Sequence, residues 1–328
     1  MSTSSTKVSI TYFGKVPSRG DFVKSGSSLS LLTSLDNWLA SAMESMTEDT
    51  RWKSIYDSVK PFHFAFLSPR SKVAVGGHFT ASCDAALRRF PFVTVGAMEV
   101  SDSEGFIARS PLALSRLWKK LASFSASAAA STDATENLLT IAGSSIDIEL
   151  GRSAYDANFE DFLDFQTVSS LEAQLQSAGF KGDIRQLVLG LGLLLQPVMA
   201  SGSNRLEKSL CLPLPADPIY QSLIAAFWLS LINPFLQRAD FELSIYIAES
   251  LDKPVLIIGF DGASSLTLQA VICPQIAEDH FITFDQALWV EDAVASDYGV
   301  GKLSSYLEQS QLSLGSVRQY FNEVFLGI

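Results

Sequence analysis

The segment Gly14-Lys15-Val16-Pro17-Ser18-Arg19-Gly20-Asp21-Phe22-Val23 concentrates more residues of chemical use than any other part of the chain. It follows a β-patterned stretch and precedes a helical one, the position at which phosphate-binding loops occur. Such a loop needs Gly-Lys-Ser/Thr in that order, so that consecutive N–H groups and the lysine surround the phosphates. Here Lys15 comes before the second glycine and Val16 stands in place of the hydroxyl residue, so nucleotide binding is not expected. A structural role fits the same residues. Gly14 and Gly20 permit backbone angles closed to other residues, Pro17 stiffens the loop, and Asp21 accepts from nearby N–H groups while Phe22 and Val23 anchor to the core. In the functional alternative, Lys15, Arg19 and Lys24 project from the rigid loop as a partner-contact patch.

Other candidates for chemistry are sparse. His63, His78 and His280 are widely spaced, and none lies in a His-Glu-x-x-His pattern or beside a cysteine pair, so neither a metal nor a cofactor is expected. His63 and His78 fall in stretches that read as neighbouring strands, where each would face solvent or be satisfied by a hydrogen bond. No Gly-x-Ser-x-Gly elbow is present to carry a hydrolase nucleophile. Glu160, Asp161 and Asp164, and Glu291 with Asp292, lack the alternating oxygen ligands and central glycine of a calcium loop and read as solvated helix faces. The expectation is a protein that is not an enzyme. Its competitor is a hydrolase or phosphatase whose site assembles from Asp21, His63 and His78.

Periodicity supplies the elements that must hold the loop. Val8 to Phe13 alternates as a strand, and Leu31, Leu35, Trp38, Leu39, Ala42, Met43 and Met46 mark an amphipathic helix after Ser28. A short helix at Thr50 to Val59 precedes strands at Phe62 to Leu67, Val73 to Phe79 and Phe92 to Val100, with Pro and Gly as punctuation. Pro111 is placed to open the next helix, and the Ser/Ala run from Ser123 to Thr135 fits helix or flexible connection equally. Ile184 to Met199 and Asp217 to Leu236 read as buried helices, Ser209 to Leu214, Phe241 to Ala248 and Val255 to Phe260 as strands, and Asp285 to Ile328 as mostly helix. All five tryptophans lie in apolar helical patterns that suit a core. The expected fold class is α/β, with mixed β-sheets covered by helices in two packed α/β domains, residues 1–165 and 166–328.

Of the 328 residues, 47% are hydrophobic and 18% charged, which excludes a disordered chain. The net charge of −11 argues against nucleic acid and anionic lipid as partners. That total is uneven: residues 1–125 carry 15 basic and 10 acidic side chains, and residues 126–328 carry 9 and 25, a balance of +5 against −16. Three scattered cysteines, Cys83, Cys211 and Cys273, suit a reducing cytoplasm. The apolar run Leu187 to Met199 is shorter than the roughly 20 residues a spanning helix needs, and Trp228, Asn233 and Pro234 interrupt the next. Direct membrane insertion is not expected.

The opening motif, the Trp38 helix after it, and Arg88-Arg89-Phe90-Pro91-Phe92 together resemble the TagF (ImpM) family of type VI secretion-associated proteins. The segment Leu210 to Ile258 is similar to the extended C-terminal part of some members. Arg89 and Pro91 fall on the family pattern, whereas Arg88 stands where the family commonly has glycine. The resemblance implies a cytoplasmic repressor that acts after translation on assembly of the secretion apparatus. It would do so by binding a forkhead-associated scaffold protein, alongside a threonine kinase and phosphatase pathway. A structural piece of the secretion baseplate is a further alternative. The family brings no established catalytic residues.

Overall fold

The computed structural model describes residues 5–201, 206–236 and 241–328. Its strands are β1 (Ser5–Gly14), β2 (Val23–Ser25), β3 (Phe62–Leu67), β4 (Val73–Thr80), β5 (Phe92–Glu99), β6 (Ser145–Glu149), β7 (Ser209–Pro213), β8 (Leu243–Ser250), β9 (Lys253–Gly259) and β10 (Phe281–Ile282). They form one ten-stranded mixed sheet in the order β10-β7-β9-β8-β3-β4-β5-β1-β2, with β6 paired to the first half of β1. Among the described strands only β10 runs parallel to its neighbour. The α/β class expected from the sequence is the one observed.

Both halves of the chain feed that sheet. β3 pairs antiparallel with β8, Ala65 opposite Ile245, so strands from before and after residue 165 share one sheet instead of forming two. Left apart, β3 and β8 would each present an open edge of unpaired N–H and C=O groups, and their pairing removes both edges.

Helices cover the two faces. On one, Leu29–Met46 and Ser265–Ile272 pack over Phe62, Phe64, Phe79 and Tyr246, and the Trp38 indole donates to the Ser264 carbonyl at 3.2 Å. On the other lie Ser103–Ala130, Ile184–Ser201 and Pro218–Leu236, with Tyr298–Leu307 and Leu314–Leu326 outside them. Trp118 and Trp228 are fully buried there, and the Trp118 indole donates to the Phe64 carbonyl at 3.0 Å. Pro218–Leu236 has the length and apolarity to cross a membrane, but 61% of it is buried inside the fold.

Two sequence expectations are revised, and one that was left open is settled. Pro111 does not open its helix: Asp102 caps it, accepting from the Gly105 N–H at 3.0 Å, and Pro111 falls inside Ser103–Ala130. The bond Pro111 cannot donate would have gone to Ile107, and the Ser110 hydroxyl reaches that carbonyl at 2.8 Å. The first part of the Ser/Ala run continues the same helix to Ala130, with Ser125 and Ala128 on its buried side; Ser125 bonds the Thr94 hydroxyl at 3.1 Å. Trp289, read as core, is 47% exposed.

Candidate functional site

The motif loop leaves β1 at Gly14, whose φ of +132° and position opposite Phe92 bring its backbone against the Pro91 carbonyl. The next N–H, of Lys15, donates to that carbonyl at 3.2 Å. Lys15 then turns inward. It is 7% exposed, and its ammonium donates to the buried carboxylate of Asp84 at 2.9 Å and lies 4.9 Å from the centre of the Phe22 ring. Phe22 stacks on Phe13 at 5.7 Å and meets Phe90 edge-on at 4.8 Å.

Asp84 is the hub. Besides Lys15 it accepts from the Arg88 guanidinium at 2.7 Å and from the backbone N–H groups of Ala86 and Arg88 at 3.0 and 2.9 Å. Burial alone would raise its carboxyl, but hydrogen bonds from Lys15 and from the backbone and side chain of Arg88 outweigh this and hold it well below the usual carboxylate range. Around it the chain forms a small hairpin: Cys83 bridges to Arg89, the Asp84 N–H donates to the Arg88 carbonyl at 3.2 Å, and Ala85, Ala86 and Leu87 form the tip. Leu87 sits at φ +59°.

Two bonds stitch this hairpin to the motif loop. Arg88 donates to the Gly20 carbonyl at 2.7 Å, and the Ala85 N–H donates to the Arg19 carbonyl at 2.8 Å. Arg19 itself reaches Asp133 at 3.4 Å and the Thr135 hydroxyl. Arg89 forks onto Asp57 at 2.7 and 2.6 Å, and that hydrogen bonding lowers the Asp57 carboxyl. In this setting Arg88, where the family commonly has glycine, is a strut between the two loops.

The residues singled out from the sequence separate accordingly. Lys15 does not project: it is a buried partner of Asp84. Arg19 is partly exposed, and Lys24 is exposed on the short edge strand β2. Pro17 is exposed, and Gly20 has open space around it and no left-handed angle that would require glycine. The Asp21 carboxylate accepts only locally, from the Phe22 N–H at 2.8 Å. Phe22 remains 43% exposed despite its ring contacts. Asp84 escaped sequence reading because it lies 69 positions from Lys15; its one local signal is Arg88 four residues on.

The two histidines do meet. His63 and His78 are cross-strand partners on β3 and β4, their Nδ1 atoms 3.0 Å apart, with the His63 ring stacked on Trp118 at 5.5 Å. His78 is buried and His63 half-buried against the Trp118 ring, while Asp21 lies on the exposed loop. Among the described residues no group of three His, Cys, Asp or Glu side chains is placed to hold a metal ion. All three cysteines are free, and burial pushes the Cys211 and Cys273 thiols up to about 12 and about 11.

The buried ion pair makes a prediction about Lys15. Lys15→Ala strands the Asp84 carboxylate without its ammonium, and the melting temperature should fall by more than about 5 °C, whereas Lys24→Ala should barely move it. Differential scanning calorimetry of the two variants checks this; equal melting temperatures would mean Asp84 does not depend on Lys15.

Fold and loop define an α/β protein in which a glycine-bounded cationic loop is locked to a second loop by a buried carboxylate. Residues 11–142, which contain both loops, match the TagF N-terminal domain, Type VI secretion system-associated. Over those residues the chain thus carries the type VI secretion system-associated domain that its motif resembled. Among solved structures it is similar to PA0076 from Pseudomonas aeruginosa PAO1, with 22% identity and a TM-score of 0.34, over 41% of this chain and 62% of that one. No curated protein matches it.

Proposed function

We propose that this protein is a non-enzymatic, cytoplasmic repressor of type VI secretion, acting after translation by binding a forkhead-associated scaffold protein and holding assembly of the apparatus off. The observation that carries this reading is the TagF N-terminal domain over residues 11–142. The site's chemistry supports binding over catalysis, since Lys15, Asp84 and Arg88 are committed to holding the two loops together. Of the five cations in residues 14–24 and 81–91, Lys15 and Arg88 are paired with Asp84, Arg19 with Asp133 and Arg89 with Asp57, while Lys24 stands exposed on β2. The part-exposed Arg19 and the exposed Lys24 are the motif cations that an acidic protein surface would meet.

The test is genetic and biochemical together. Deleting the gene should raise secretion of tube and effector proteins, and the tagged protein should capture the scaffold from soluble extract. Unchanged secretion with no capture would overturn the proposal. Within it, reversing the exposed charges with Arg19→Glu and Lys24→Glu should weaken scaffold affinity about tenfold, chiefly through a slower, more salt-sensitive association rate. Surface plasmon resonance at two salt concentrations reads both quantities.

A further inference from the structure

Where the helices Ser103–Ala130 and Asp156–Phe165 meet the start of Pro218–Leu236, the surface opens into a groove of about 330 Å³. Leu112, Phe159 and Leu223 give it an apolar lining, and Ile219 on its rim is 70% exposed. Ser115 and Lys119 line it from the first helix, and Arg116, one turn from both Leu112 and Lys119, stands on the same side. Arg116 and Lys119 are exposed, and among the described residues neither has a hydrogen-bond or ion-pair partner. Their neighbours do. Arg109 and Arg152 are paired with Asp156, and Asp217 accepts from the Ile219 N–H at 2.9 Å, so those two carboxylates are committed.

The counterpart of that groove lies on the same chain. After β10 the backbone turns through Leu288 and Trp289, with the N–H groups of Val290 and Glu291 donating to the Ala287 and Leu288 carbonyls at 3.1 Å, and winds into the helix Val290–Ser296. Leu288 is 68% exposed, and nearly half of Trp289 is open to solvent. Asp292, four and three residues further on, falls on the same side of the helical turn. It too is exposed and has no side-chain partner among the described residues. This ridge is held in place: Arg185 forks onto Glu291, Gln186 donates to the same carboxylate at 2.9 Å, and the Trp289 ring packs on Gly190. Side chains fixed in this way lose little conformational freedom on docking.

We propose that this protein self-associates, the Leu288–Trp289 ridge of one copy seating in the groove of a second with Asp292 facing Arg116 and Lys119. Two apolar side chains beside a free carboxylate are the complement of an apolar lining beside two free cations. The same division runs through the whole sequence, since the cations belong to the stretch 1–125 with its balance of +5 and the carboxylate to the stretch 126–328 with its −16. Two different surfaces meet, so assembly proceeds head to tail and grows with protein concentration. The inference is independent of the scaffold reading above.

Sedimentation velocity of the full chain over about a hundredfold range of concentration should show the mean mass rising above that of one chain. Arg116→Glu with Lys119→Glu, or Asp292→Lys alone, sets like charges opposite each other and should weaken the association more than about tenfold; Leu288→Ser should do the same by removing an apolar contact. All four positions are exposed, so the melting temperatures should stay within about 2 °C of wild type. The chain carrying all three charge changes has glutamates on the groove and a lysine on the ridge, and it should associate again. A wild type that stays monomeric throughout, an association that none of the variants weakens, or a triple variant that stays apart would each overturn the proposal. So would a monomer that loses scaffold affinity on Arg116→Glu and Lys119→Glu, which would give the groove to that partner instead.

Discussion

Gly14→Ala is expected to leave little or no folded protein, with a destabilisation above about 4 kcal/mol. A Cβ at this position would lie 1.9 Å from the Pro91 carbonyl oxygen, 2.8 Å from its carbon and 2.9 Å from the Phe92 Cα. None of these is the free end of a side chain that can swing away; all three belong to the neighbouring strand's backbone. Relief would require parting β1 from β5 where Gly14 faces Phe92, or abandoning a φ of +132°, which L side chains rarely adopt. Either movement pulls Lys15, the next residue, off the Pro91 carbonyl and away from Asp84. The paired control is Gly20→Ala, which meets no atom within 4 Å and should shift stability by no more than about 0.5 kcal/mol. Urea unfolding of both variants, with soluble yield as the cruder readout, decides the matter; a Gly14→Ala protein as stable as wild type would mean the two strands do not approach as closely as described.

That contrast also shows where sequence reading stops. Gly14 and Gly20 are equivalent as symbols in the motif, and both invite the same argument about backbone freedom. Only the approach of Pro91, 77 positions further along the chain, makes one obligatory and the other incidental. Lys15 fails as a surface cation for the same reason, since its partner Asp84 arrives through sheet pairing that no local pattern encodes. Punctuation of short apolar runs by proline and glycine, by contrast, carried the strands near Phe62–Leu67 and Val73–Thr80, which helices bury from both faces of the sheet. It also located His63 and His78 on neighbouring strands. Their register, and so their contact, required the structure. The continuous sheet was hidden likewise: the β3–β8 pairing that joins the halves spans some 180 residues and leaves no signature in either strand.

The histidine pair yields the second large effect, a steep loss of stability in mild acid. Burial lowers His63 from 6.5 to about 3, with the neighbouring His78 adding to it, and lowers His78 to about 4 against a small opposing hydrogen bond with the Phe62 backbone. The geometry explains the direction. One Nδ1 donates to the other across 3.0 Å, so protonating the accepting ring would set two N–H donors face to face beside the Trp118 ring. Between pH 6.5 and about 4 the unfolded chain therefore takes up two protons that the folded chain refuses. Stability conferred by the neutral pair is complete above pH 6.5 and is lost as pH falls toward the folded values, at about 1.4 kcal/mol per pH unit for each histidine. Two histidines make this about 2.7 kcal/mol per unit, enough to consume most of a typical domain's stability by about pH 4. Carboxylates held low by their hydrogen bonds, such as Asp84, have the same sign but act below this window. Urea unfolding at intervals from pH 7.5 to 4.5 should trace that slope, and NMR should show both imidazoles neutral down to about pH 5. In the His63→Asn, His78→Asn double variant, amides keep a polar pair that cannot charge, and the slope should flatten even if the protein is less stable at pH 7. A wild-type stability that stays level from pH 7 to 5 would mean the folded protein admits those protons, and the pair could not be buried and hydrogen-bonded as found.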